Sequence, residues 1–253
     1  MRLLPSVALA VLLVLAGCDG GASHPPSDDR ALDALNRTEA ALDSVSTYRF
    51  SSEMRVSASK GDRSRTVSAT TDGAVDLRNR RLHVATEVEG RTRDVYVDGY
   101  ERYTECGSPW SGWSVKNLSE STSWAAFAPA GRQLALLDRT NVYWRGNETV
   151  DGNLTNVVVA YPSKEALVDL QRRDRAGAPD LRDANLKNAT VKLWSDAETG
   201  LPVRSLLDIE LKKNGATATA RVTTTFSGYG DTVNVTVPES ARTDQHEFGC
   251  PGA

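Results

Sequence analysis

Along most of the chain, apolar and polar side chains alternate in steps of two. The clearest case runs from Asn188 to Glu239. Val203, Ser205, Leu207, Ile209 and Leu211 fall on one parity, and Arg204, Asp208, Glu210 and Lys212 on the other. Successive strand side chains point to opposite faces, so this pattern predicts a strand with one buried side. Asn214-Gly215 supplies a two-residue hairpin turn, and Ala218, Ala220, Val222, Thr224 and Phe226 repeat the pattern. After Gly228 and Gly230, Val233, Val235 and Val237 alternate again up to Pro238. The stretch predicts an antiparallel meander of about four strands.

The earlier part of the chain reads the same way. Leu32, Leu35, Leu42 and Val45 recur at helical spacing between Arg30 and Val45, with Ser27 or Asp28 as the cap. Tyr48, Phe50, Ser52, Met54, Val56 and Ala58 then alternate against charged and hydroxyl residues. Gly61-Asp62 turns into a second strand through Val67 and Ala69, resuming at Ala74 to Leu77 beyond a break at Asp72-Gly73. Leu82, Val84, Thr86 and Val88 mark a third strand, Val95 and Val97 a fourth, and Asp98-Gly99 leads into a fifth ending at Cys106. Trp110 and Trp113 follow in a Ser/Gly-rich loop. Trp124, Phe127, Leu134 and Leu137 predict a helix that Pro129 breaks. Two strands flank Asp151-Gly152, Ser163 caps a short helix with Leu167 and Leu170 inward, and 174–187 is a polar loop. The expected fold is α+β, mainly antiparallel β, with about ten strands and three helices in one domain over 30–253.

The N-terminus adds a compartment. Behind Arg2, the apolar run from Leu3 to Ala16 is shorter than the roughly 20 residues of a bilayer span. It ends in Leu15-Ala16-Gly17-Cys18, which resembles a lipobox. Residues 1–17 therefore read as a signal peptide, Cys18 as the lipidated residue, and 18–29 as a flexible tether of Gly, Ser, Pro and Asp. The alternative is an uncleaved anchor with an incidental cysteine. Two acyl chains on Cys18 meet the requirement for stable attachment and place the protein on the outer face of the cytoplasmic membrane. Cys106 and Cys250 then remain as an even pair in an oxidising compartment. A bridge between them closes a loop of 144 residues, worth up to about 5 kcal/mol in the chain-entropy model. The alternative is two buried free thiols.

Composition and charge narrow the chemistry. The chain has 253 residues, 40% hydrophobic and 25% charged, with a formal net charge of −3 and no basic tract. That is an ordinary globular composition and argues against a nucleic-acid partner. His24 lies in the tether, His83 opposite the apolar parity of its strand, and His246 in the tail, none at metal-ligand spacing. There is no Gly-x-Ser-x-Gly elbow and no phosphate loop. The expectation is a protein that is not an enzyme and carries no metal or cofactor. Asn36, Asn117, Asn147, Asn153, Asn188 and Asn234 each precede x-Ser/Thr, where chance gives about two such sites. They are candidate glycosylation sites if the source uses that modification; accident in Thr-rich strands is the other reading.

Three segments carry a resemblance. Trp194 to Arg204 (WSDAETGLPVR), Phe226 to Val235 (FSGYGDTVNV) and Gly146 to Thr155 (GNETVDGNLT), with the lipobox, resemble the LppX/LprG-type lipoproteins of the LolA-like superfamily. The resemblance implies a half-barrel sheet, helices on its concave face and an apolar cavity for acyl chains. Phe50, Met54, Leu82, Val84, Val95, Val97, Trp124, Phe127, Leu207, Ile209, Val222 and Phe226 are the candidate lining. Trp110 and Trp113 share the aromatic segment that the resemblance sets over the mouth. A two-chain lipid exposes on the order of 30 methylenes at about 0.8 kcal/mol each, so a carrier needs an enclosed apolar space. Small inner residues (Ser52, Ala58, Ala69, Ala218, Ala220) leave such room, or equally pack directly under the helices. The implied partners are the membrane, through the anchor, and a lipid cargo. A sensor or scaffold that binds an envelope protein is the alternative.

Overall fold

The computed structural model describes residues 24–118, 124–173 and 181–251. Six strands come before the central helices: β1 (Thr47–Lys60), β2 (Arg63–Asp76), β3 (Arg81–Val88), β4 (Arg91–Asp98), β5 (Glu101–Glu105) and β6 (Trp113–Asn117). Five follow: β7 (Val142–Val150), β8 (Asn153–Ala160), β9 (Asn185–Asp196), β10 (Pro202–Lys213) and β11 (Ala216–Ser227). All eleven join one antiparallel sheet in the order β6-β5-β4-β3-β2-β1-β11-β10-β9-β8-β7. The first and last strands of the chain meet at the centre, where β1 pairs with β11. The edges β6 and β7 stay unpaired with each other, so the sheet is an open half-barrel.

A first helix, α1 (Asp29–Asp43), precedes the strands, α2 (Pro129–Leu137) and α3 (Lys164–Arg173) interrupt them, and a short fourth, α4 (Glu239–Thr243), follows them. Asp28 caps α1 by accepting the Ala31 N–H at 2.7 Å. The apolar stripe of α1 (Ala31, Ala34, Leu35, Leu42) joins Leu134 and Leu137 of α2 in one core with Tyr48, Phe50, Val75, Leu82, Val97 and Phe226. Leu32 stands off this stripe and is 40% exposed, because the small residues Ala31 and Ala34 take the contact with the sheet. The helix-covered side of the sheet is its inner face.

Alternation predicts most faces, and the exceptions have physical causes. The expected break at Asp72-Gly73 is absent, because β2 runs unbroken through it. A Cβ at Gly73 would lie 2.3 Å from the Phe50 ring and 2.5 Å from the His83 carbonyl oxygen. The glycine makes room for a ring across the ladder; it does not turn the chain. Val203 leaves the face of Ser205 and Leu207, because a register shift between Pro202 and Arg204 sends it outward to Trp194 and Leu206. Val233 to Val237 run without a ladder partner, so the meander has three strands, and Val237 packs with Ala241 on the outer face. The expected loop over 174–187 already contains the start of β9, and its part from 174 to 180 lies outside the described residues. The Ser/Gly-rich loop gives way to β6, which puts Trp113 on the outer face with Tyr103 and Val237, away from Trp124 and Phe127.

The described part of the expected tether is docked. Pro25 offers its carbonyl to Tyr143 Oη at 2.5 Å and to Asn141 Nδ2 at 3.0 Å, and His24 stacks on Tyr161 at 4.7 Å. The signal peptide and Cys18 lie outside the described residues. Among the described residues no helix is long and apolar enough to cross a membrane.

Candidate functional site

Directly paired residues of antiparallel strands share a face, so the registers turn the inner face into rows running across the sheet. One row crosses eight strands: Val142, Ala160, Val191, Leu207, Val222, Met54, Ala69 and Val88. The start of α1 sits at this level, since the Asp28 N–H donates to the Val142 carbonyl at 3.1 Å. The helix then runs toward the base end of the sheet, where α1 leads into β1. The α2 start is also at the base, where the Ala130 N–H donates to Tyr48 Oη at 3.3 Å. The turns of the β1–β2, β3–β4 and β10–β11 hairpins lie at the opposite, tip end.

The inner face therefore has two halves. Toward the base, Tyr48, Phe50, Val75 and Phe226 are packed beneath the helices. Burial raises the phenol of Tyr48, and that of its ring neighbour Tyr229, above the ordinary range. Toward the tips, Val56, Val67, Leu211, Ala218, Ala220 and Val222 are only half-buried, and Met54 is 38% exposed. A row of hydroxyls divides the halves: Ser205, Thr224, Ser52, Thr71 and Thr86. Ser52 and Thr224 share a hydrogen bond of 2.7 Å, and Thr71 and Thr86 one of 3.1 Å. Partnered with each other, these hydroxyls can lie beside apolar rows at little cost.

The candidate lining divides along the same boundary. Phe50, Leu82, Val97, Trp124 and Phe226 are buried in the core, with Val84 and Phe127 packed against it. Val95 is half-buried beside Val84 in the ladder. Met54, Leu207, Ile209 and Val222 sit in the tip half, where Ile209 is buried in the same core, Leu207 packs against it as Leu211 does, and Met54 and Val222 are partly open. Together they form the floor of an apolar trough. Val56, Val67 and Leu211 complete that floor; they are absent from the sequence-derived set although their parity places them there. A cavity of 340 Å³ opens at the base end beside Leu42, Leu77, Tyr100 and Trp124, near the lower limit of ordinary ligand pockets. Another of 240 Å³ lies by α3, lined by Lys164, Glu165, Val168, Asp169 and Arg182.

Other candidates fall outside the trough. Cys106 and Cys250 form a disulfide with Cα atoms 5.3 Å apart, tying the tail to the end of β5. The loop beside it carries Trp110, 51% exposed, and the tail carries Phe248, 95% exposed. His83 lies on the outer face as expected, but it is half-buried, stacked on Tyr96 at 4.4 Å and 2.8 Å from Asp94. His246 lies 2.7 Å from the Ser111 carbonyl oxygen. All six sequon asparagines are exposed, and the Asn147 amide donates to the Asn156 side chain. Between α1 and the end of α2, burial and then the Asp138 carboxyl push Glu39 up to about 7.

No protein-family model matches the chain, and no curated protein matches it. Solved structures do. LprF from Mycobacterium bovis is similar over 85% of this chain and 99% of its own, at 14% identity and a TM-score of 0.51. The fold is that of the LppX/LprG-type, LolA-like lipoproteins. The lipoprotein LppX from Mycobacterium tuberculosis covers 83% of this chain and 100% of its own, at 18% identity and a TM-score of 0.49. A LolA superfamily protein from Nitrosomonas europaea covers 86% and 98%, at 10% identity and a TM-score of 0.29. At such identities the likeness speaks for the fold alone.

Proposed function

We propose that this protein is an extracytoplasmic lipoprotein, anchored through Cys18, that holds lipid acyl chains in the trough at the tip end of its half-barrel. One observation carries the reading: apolar rows continue across the inner face beyond the helices and remain partly open, with Met54 38% exposed. Exposed contiguous apolar surface of this kind marks a binding site in a soluble domain. Burying methylenes there yields about 0.8 kcal/mol each, so the open trough holds part of an acyl chain, short of the enclosed space that burial of a whole two-chain lipid requires. The LppX/LprG-type fold supports the same assignment. No catalytic step is assigned to it.

The test uses two bulky substitutions on one face. Val222→Trp sits on the trough floor and is expected to reduce the lipid recovered with the protein while leaving Tm nearly unchanged. Val84→Trp sits in the packed half and is expected to lower stability by about 1–3 kcal/mol. Lipid is extracted from protein purified from membranes and identified by mass spectrometry. Wild-type protein without bound lipid, together with a Val222→Trp variant as unstable as Val84→Trp, would defeat the reading. A second reading, a scaffold for an envelope protein, is favoured by Trp110 and Phe248, two exposed aromatics on segments joined by the disulfide. Replacing both with Ser leaves lipid recovery intact if the trough is the functional site.

A further inference from the structure

Charge is segregated between the two faces of the sheet. Every Asp and Glu within the eleven strands lies on the outer face, as Glu53, Glu87, Asp208 and Glu210 do in the long strands. The inner face carries charge only as Lys and Arg. At its tip end these are Lys60, Arg63, Arg65, Arg91, Arg93 and Lys213. Their positions follow from the registers. Lys60 pairs with Arg63 and Lys213 with Ala216, which places them at the rim. Arg65 pairs with Ala58, Arg91 with Val88 and Arg93 with Thr86, which ends the rows containing Ala218, Met54 and Ser52 in guanidiniums.

These strands are not the sheet's edges, which are β6 and β7, so protection of an open edge does not account for the cations. Their acidic neighbours are few. Glu89 lies 3.7 Å from Arg65, Asp183 lies 3.6 Å from Lys213, and Asp62 sits in the β1–β2 turn. Arg91 and Arg93 are exposed and have no ion-pair partner among the described residues. From Met54 to Arg91 is three strand spacings, each about 4.8 Å, so a headgroup at the arginines can keep its chains on the trough floor.

We infer that the trough takes an amphiphile with an anionic, phosphate-type headgroup, which Arg91 and Arg93 bind while Arg65 and the rim cations attract it. Guanidinium forks match phosphate oxygens bidentately, which a row of exposed alkyl groups alone cannot do. This rests on the reading of the trough as an acyl-chain site, and the test separates the two. Affinity-immobilised full-length protein is incubated with labelled dioleoyl phosphatidate or dioleoylglycerol, which share their chains and differ in charge. Wild type is expected to retain phosphatidate roughly tenfold better, with the margin shrinking several-fold as salt rises.

The double variant Arg91→Gln, Arg93→Gln should lose that margin and keep dioleoylglycerol binding, which also shows that it folds. Arg91→Lys, Arg93→Lys should keep part of the margin, and Arg55→Gln on the outer face should keep all of it. Inorganic phosphate at millimolar concentration should leave phosphatidate bound; displacement by phosphate alone would instead mark a site for the free anion and overturn the inference. Equal retention of the two lipids by wild type, or an unchanged margin in the glutamine variant, would also overturn it and leave the trough standing. Retention of neither lipid would remove the trough itself.

Discussion

The two halves of the inner face are built from the same strands and the same parity, yet they do different work. On the base half Phe50 and Phe226 face each other across the β1–β11 ladder, and helix side chains close over them. On the tip half the same ladder carries Met54 opposite Val222 and Ala58 opposite Ala218, with smaller groups, at and beyond the row where α1 starts. Apolar alternation alone thus does not distinguish a core from a binding surface. What distinguishes them is whether another element reaches that far, and α1 begins at the Val142 level.

The sharpest way to break this comparison is to truncate one residue in each half. Phe50→Ala is expected to cost about 3–5 kcal/mol, as a buried ring leaving a cavity does, measured by denaturant unfolding. A loss below about 1 kcal/mol would mean that the base half is not a packed core. Gly73→Ala probes the same spot from the other strand. Its Cβ has the His83 backbone oxygen as well as the Phe50 ring in its way, so a destabilisation of about 1–3 kcal/mol is expected.

Next in size is a pH effect on the helices that make the difference. In the folded chain Glu39 holds its proton up to about 7, against an ordinary value of 4.5. The folded state therefore binds a proton that the unfolded state releases, so the contribution of Glu39 to stability is fully present below pH 4.5 and is lost as pH rises through about 7. Glu39→Gln should flatten that decline and raise Tm above that of wild type on the alkaline side of this range. An identical pH profile for both proteins would show that the Glu39–Asp138 contact does not hold the proton. The smallest effect belongs to the tip half: Met54→Ala should change stability by no more than about 0.5 kcal/mol while reducing recovered lipid. A larger loss would place Met54 in a core and merge the two halves.

Much of this was legible in the chain. The faces of β1, β3 and β11, the Asn214-Gly215 turn and the Cys106–Cys250 pair follow from alternation, turn chemistry and cysteine count. Places where those rules misled are ones where a distant contact overrode a local preference. Gly73 resembles a strand break until Phe50 is seen to occupy its missing side chain. Val203 resembles an inner residue until the register shift turns it outward. The inner arginines share the parity of apolar neighbours, but a search for the apolar face of each strand passes over a cation within it.

Alternation is a property of consecutive residues, so outside the register shifts of β10 and β9 the sequence by itself determined which side chains share a face, and with it the separation of carboxylates from the inner surface. Turns such as Asn214-Gly215 set local reversals for the same reason, because their backbone preferences act over two or three residues. Strand order, the meeting of β1 with β11 and the level at which α1 begins depend on residues far apart in the chain. Only the tertiary structure decided those, and they are what leave one half of a continuous apolar face covered and the other open.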